Sequence, residues 1–168
     1  MDPFFLSIET SALSVWLREA ITIWAFPFVL ILHTVGLAFL VGVNVAIDIR
    51  ALGGAMGVPL AALRRYYRWM WAGFWVNALS GVVLVVIDAT RLLANPLFYV
   101  KLGFIALAVV SGRLIAVRVF GDSRVDSGSL RMSRVLAAAS LFFWIGAITA
   151  GRLTAYLFAS ASLSASAR

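Results

Sequence analysis

The chain holds one histidine, His33, inside the apolar run WAFPFVLILHTVGLAFLVGVNVAIDIRALGG (Trp24 to Gly54), which also carries Asn44, Asp48 and Arg50. At about 100° per residue, the step from His33 to Asn44 returns to nearly the same helix face, and Asp48 follows one turn later. One helix therefore carries a polar stripe through apolar surroundings, where such groups are costly and turn toward protein or water. Three kinds of chemistry are open to it. The imidazole could ligate a haem b between helices, relay a proton with Asp48 and Asn44, or hydrogen-bond to the backbone or a side chain of a neighbouring helix. A b-type haem normally takes a second strong ligand. With no other histidine in the chain, that ligand would be Met70, another methionine, or His33 of a second copy. The sequence favours the neutral, hydrogen-bonded imidazole over the haem ligand.

The remaining ionisable groups fall into two layers once the chain is threaded through a bilayer. Asp88, Arg91, Lys101 and Arg152 each lie near one end of an apolar run, within ~10 Å of depth at 1.5 Å per residue. Asn44 and Asp48 belong to the other layer with Asn77 and Arg113, and His33 sits between. As structural glue, Asp88 pairs with Arg91 at i,i+3, Asp48 neutralises Arg113, and Lys101 and Arg91 snorkel to headgroups. As a functional layer, the cation excess would bind an anionic group: a quinone headgroup, a carboxylate or a partner's acidic surface. A proton-coupled transporter built on Asp48 and Asp88 is a further class. No nucleophile–base pair, phosphate loop or metal-ligand cluster is visible, so the sequence argues against an enzyme.

The elements that position these groups are membrane helices. Of 168 residues 63% are hydrophobic and only 12% charged, with a mean hydropathy of +1.01. About half apolar is usual for a soluble domain. Cysteine is absent, which excludes disulfides, thiolate metal sites, covalent c-type haem and cysteine catalysis. Crossing a bilayer core takes ~20 apolar residues. Four runs qualify, at about 20–49, 69–93, 97–120 and 135–158, with Pro27 expected to kink the first. They predict an all-α, integral membrane four-helix bundle forming a single domain in contact with the lipid bilayer. Ahead of it, Phe4, Phe5, Ile8, Ala12, Val15 and Trp16 share a helical face, which predicts a short amphipathic helix in the interface. No signal-peptide pattern precedes the first run. After the fourth run comes a Ser/Ala tail with no demand for structure.

The net charge of +7 is an orientation signal rather than a nucleic-acid footprint. Arg50, Arg64, Arg65 and Arg68 cluster around the first loop, and Arg118, Arg124, Arg131 and Arg134 around the third, against Arg91 and Lys101 at the second. The positive-inside rule places loops one and three in the cytoplasm and both termini outside, in the periplasm of a bacterial inner membrane. The aromatic run YYRWMWAGFW (Tyr66 to Trp75) reads as an interfacial anchor, with Trp75 turned toward the first span. Gly36, Gly42, Gly73, Gly81, Gly103, Gly112, Gly146 and Gly151 would let helices approach closely. Gly36–Gly53 and Gly103–Gly121 share an apolar run, a late arginine and a closing glycine, a weak sign of a duplicated hairpin.

The motifs His33-Thr-Val-Gly36-Leu, Asp48-Ile-Arg50-Ala-Leu-Gly53, Trp71-Ala-Gly-Phe, Ser80-Gly81, Asp88-Ala-Thr-Arg91, Asn95-Pro96 and Gly151-Arg152 carry a resemblance over residues 24–156. The chain resembles a family of small four-span bacterial inner-membrane proteins of unknown function. That family is similar in layout to the copper-resistance and b-type cytochrome membrane bundles. The resemblance implies the bundle fold and keeps haem or metal in consideration. It also implies a histidine late in the third span, where this chain reads SGRLIAVRV and has none. The sequence thus points first to a non-catalytic membrane subunit or accessory protein docking a periplasmic or membrane partner, with a homo-oligomer as one form of assembly. A haem b or quinone-linked electron carrier using His33 is the alternative.

Overall fold

The computed structural model describes residues 3–20, 22, 24–54, 57, 60–121 and 127–166. Every regular element among them is helical: α1 (Pro3–Glu9), α2 (Ala12–Glu19), α3 (Phe26–Ala51), α4 (Leu60–Ile87), α5 (Ala89–Leu93), α6 (Pro96–Gly121) and α7 (Ser127–Ser166). Four stretches are long and apolar enough to cross a membrane: Phe26–Ala51, Ala62–Ile87, Pro96–Arg118 and Arg131–Thr154. The chain has the makings of a multi-pass membrane protein. The helices fall into two compact units, Met1–Ala46 with Pro59–Ala94, and Ile47–Val58 with Asn95–Arg168.

Local chemistry sets the helix ends. Pro27 does not kink a span as expected; it lies in the first turn of α3, where amide hydrogens have no intrahelical partner and proline costs nothing. At the other end Gly53 adopts φ +97, which frees its N–H to reach Arg50 O at 3.2 Å while Gly54 N reaches Ile49 O at 2.9 Å. These two bonds make the glycine stop that closes a helix. Asn95 and Pro96 start α6 as a pair. The Asn95 side-chain oxygen accepts from Leu97 N at 2.9 Å, and proline takes the first helical position.

The N-terminal segment is two helices rather than one, broken at Thr10–Ser11, with Ser11 capping α2 through Ser14 N at 3.4 Å. Leu17 of α2 is buried with Ala25 and Ile87 at the far end of α4, packed by Val29, Val83 and Leu84. The fourth apolar run sits in a helix that continues through the Ser/Ala tail to Ser166. Of the hydrophilic connection before it, residues 122–126, including Arg124, lie outside the described residues.

Each unit holds an antiparallel helix pair. In the first, α3 meets α4 with His33 level with Gly81, Gly36 with Asn77 and Gly73, and Leu40 with Gly73. In the second, α6 runs against α7 with Lys101 beside Gly151 and Phe104 beside Gly146. The Phe104 ring stands 6.3 Å from both Phe142 and Phe143. The outward faces stay apolar, as lipid contact requires: Leu79 is 65% exposed and Ile145 65%.

Candidate functional site

The α3–α4 contact is close because it is made of backbone. A Cβ on Gly36 would stand 2.6 Å from Asn77 N and 2.9 Å from Gly73 O, and a Cβ on Gly73 would stand 2.8 Å from Gly36 O. Small residues that bring backbones together in this way are the usual means of membrane helix association. Gly42 and Gly103 meet nothing within 4 Å, so their expected packing role is not seen.

That approach puts His33 within reach of α4. Its Nδ1 lies 3.0 Å from Asn77 O and 3.1 Å from Ser80 Oγ, while Asn77 Nδ2 donates to His33 O at 2.8 Å. A backbone carbonyl only accepts, so Nδ1 carries the hydrogen and Nε2 holds the ring's lone pair. Ser80 Oγ donates to Val76 O at 2.6 Å and so presents its oxygen to the imidazole. The 3.3 Å approach of Asn77 Nδ2 to Nδ1 then sets donor against donor and adds no bond. Cε1 of the ring faces Gly81, whose Cβ would come within 3.2 Å. His33 and Asn77, placed in different layers by the sequence, thus form one interhelical lock.

Met70 does not complete a haem site with His33. Met70 is buried on α4 but lies seven residues before Asn77, about 10 Å along the helix at 1.5 Å per residue, and nearer the level of Leu40. It cannot stand opposite His33 as a second axial ligand. Among the described residues, no three His, Asp or Glu side chains come together as a metal cluster would need.

Asn44 and Asp48 are 1% and 0% exposed, one turn apart on α3. Neither Asn44 side-chain atom has a hydrogen-bond partner, and neither Asp48 oxygen accepts a bond. Ser140 of α7, itself fully buried, is the hydroxyl beside the carboxyl, and the two do not close a hydrogen bond. The expectation that Asp48 neutralises Arg113 is not met: Arg113 is an exposed side chain on α6. Its position is two residues past Ser111 and two before Ile115, both buried, and so falls on the other face.

Of the other groups marked in the sequence, Asp88 and Arg91 lie at the break after α4, Lys101 near the start of α6 and Arg152 near the end of the apolar stretch Arg131–Thr154. Asp88, at the break after α4, pairs with Arg91 at 4.0 Å, the local i,i+3 contact, with both side chains partly in the open. Lys101 lays its aliphatic chain along Gly151, and Arg152 is exposed. Arg65 and Arg68 stack on Tyr66 and Trp69 at 4.9 and 5.7 Å, as an interfacial belt would. Trp75 does not pack against the first span: it is 59% exposed, because position 75 lies opposite the Gly73–Asn77–Ser80 face.

One contact had no sequence signal. Glu9, at the end of α1, accepts from Thr90 N at 3.1 Å and from the Thr90 hydroxyl, and pairs with Arg18 at 3.3 Å. The carboxylate thus sits at the start of α5, where free amides and the helix dipole favour a negative charge. The Thr90 bonds hold the Glu9 carboxyl below its ordinary range; burial pushes the other way and Arg18 lowers it further. The partners are too far apart in sequence for periodicity to connect them. No protein family, curated protein or solved structure matches the chain.

Proposed function

We propose that the protein is a non-catalytic, multi-pass subunit of the bacterial inner membrane with both termini on the periplasmic side. The observation that carries this reading is the use of His33. The one imidazole of the chain bonds the α4 backbone through Nδ1, its ring is set against Gly81, and Met70, the buried methionine of α4, lies too far along that helix to stand opposite it. The arginine distribution supports the orientation. Docking is supported at the N-terminus, where Glu9 ties α1 and α2 to α5 and leaves Phe4, Leu13 and Trp16 65%, 55% and 54% exposed. Such a fixed apolar and aromatic platform would hold a membrane or periplasmic partner at the bilayer surface. A photo-crosslinking residue at position 16, activated in the native host, should give one discrete protein adduct. Adducts to lipid alone would contradict docking.

A further inference from the structure

We propose that Asp48, with Ser140, is a proton-binding site: a buried carboxylic acid that is neutral at rest and exchanges its proton with the aqueous phase. This goes beyond a scaffold role, which needs no titrating group in a span.

Asp48 is 0% exposed in an apolar helix, and neither of its oxygens has a donor. An ionised carboxylate in that setting would meet the full cost of desolvation with nothing to offset it, so the group resides as the neutral acid. The neutral acid has an O–H to donate, and the oxygen beside it is Ser140 Oγ, also fully buried and unpartnered. The Ser140 hydroxyl can donate or accept and so can bond either form; it would be the one donor facing a full negative charge, whereas the neutral acid needs only one acceptor for its O–H.

Among the described residues of this unit, no fixed charge is placed to compete for that proton. The charged residues of the helices in the same unit are Lys101, Arg113 and Arg118 on α6 and Arg131, Arg134 and Arg152 on α7; all but Lys101 are exposed. Lys101 is half-buried at Gly151, eleven residues and about 16 Å along α7 from Ser140. On its own helix, Arg50 is two positions on, across the helix from Asp48.

Two further features separate a proton site from packing. Asn44, one turn away and equally buried, shows that this helix accommodates an amide, which would offer Ser140 a partner with no ionisable group. Asp48 also lies three residues from Ala51, the last residue of α3, so about 4.5 Å of helix separates it from the end. A proton has a short way out. A metal cation would want six or more oxygens, or four to six for the small ones, and the Asp48–Ser140 pair offers three.

The test is infrared difference spectroscopy of the full chain in lipid, wild type against Asp48→Asn, recorded against pH and in heavy water. The expected result is a protonated-carboxyl carbonyl band at neutral pH that is absent from Asp48→Asn, shifts down in heavy water and is lost at alkaline pH. Asp48→Glu keeps an acid at the site and should move the band without abolishing it, which covers failure of the amide variant to fold. Three results would overturn the proposal. They are no such band at neutral pH, a band unmoved by heavy water or by pH while the fold persists, and a band removed by sodium at constant pH.

Discussion

Substituting Gly36 by alanine tests the α3–α4 lock at its tightest point. The added methyl would meet Asn77 N at 2.6 Å and Gly73 O at 2.9 Å, both backbone atoms that cannot rotate away. Real Cβ contacts do not fall below 3.0 Å, so the helices must separate. Overpacking of this kind costs about 1–3 kcal/mol. Separation also strains the Asn77 Nδ2 to His33 O bond and the His33 Nδ1 to Asn77 O bond, at about 0.6 kcal/mol each for interhelical bonds in membranes. The sum is about 2–4 kcal/mol, or roughly thirty- to several-hundred-fold in the unfolding equilibrium. The matched control is Gly42→Ala on the same helix, where the methyl meets nothing within 4 Å. It removes a helix-interior glycine and should be neutral to slightly stabilising. Unfolding both variants by titration with a denaturing detergent, followed by tryptophan fluorescence, gives the comparison. Equal stabilities would refute the close approach and the lock that rests on it.

Asn77→Leu should destabilise the protein by about 0.6 kcal/mol, losing the amide bond to His33 O while the packing volume is kept; detergent titration reads it. Gly146→Ala should cost less than Gly36→Ala, because its methyl would meet the Phe104 ring at 3.0 Å and a side chain can turn where backbone cannot. The Glu9 latch should survive mild acid. Its folded-state pKa lies below the ordinary 4.5, so its contribution is complete above that value and is lost as pH falls through the depressed one. A nitroxide at Ser7→Cys should stay immobilised down to the ordinary carboxylate range and loosen below it, whereas Glu9→Gln should be mobile at neutral pH. With no native cysteine to interfere, Ser127→Cys should resist an impermeant thiol reagent in intact cells and Ser7→Cys should react.

Sequence carried the four apolar helices, the closing glycine at Gly53 and the Asp88–Arg91 pair, because each is a matter of composition or of neighbours in the chain. It also carried the backbone-bonded imidazole, since a lone histidine in an apolar helix must find an acceptor. It failed on facing. A helix bordered by lipid on one side and by protein on the other is apolar all round, so no periodicity told that Trp75 points outward or that Gly36 packs and Gly42 does not. Depth alone paired Asp48 with Arg113, and depth does not specify a face. Contacts between distant segments, Glu9 with Thr90 and Asp48 with Ser140, leave no local mark at all.

His33 locks α3 to α4, and under the proposed function that is its role. The most direct measurement is the visible spectrum of the detergent-purified protein, oxidised and then reduced with dithionite, after expression with ample haem supply. No Soret band is expected in either state. A reducible Soret band that disappears in His33→Ala would contradict it and make the protein an electron carrier.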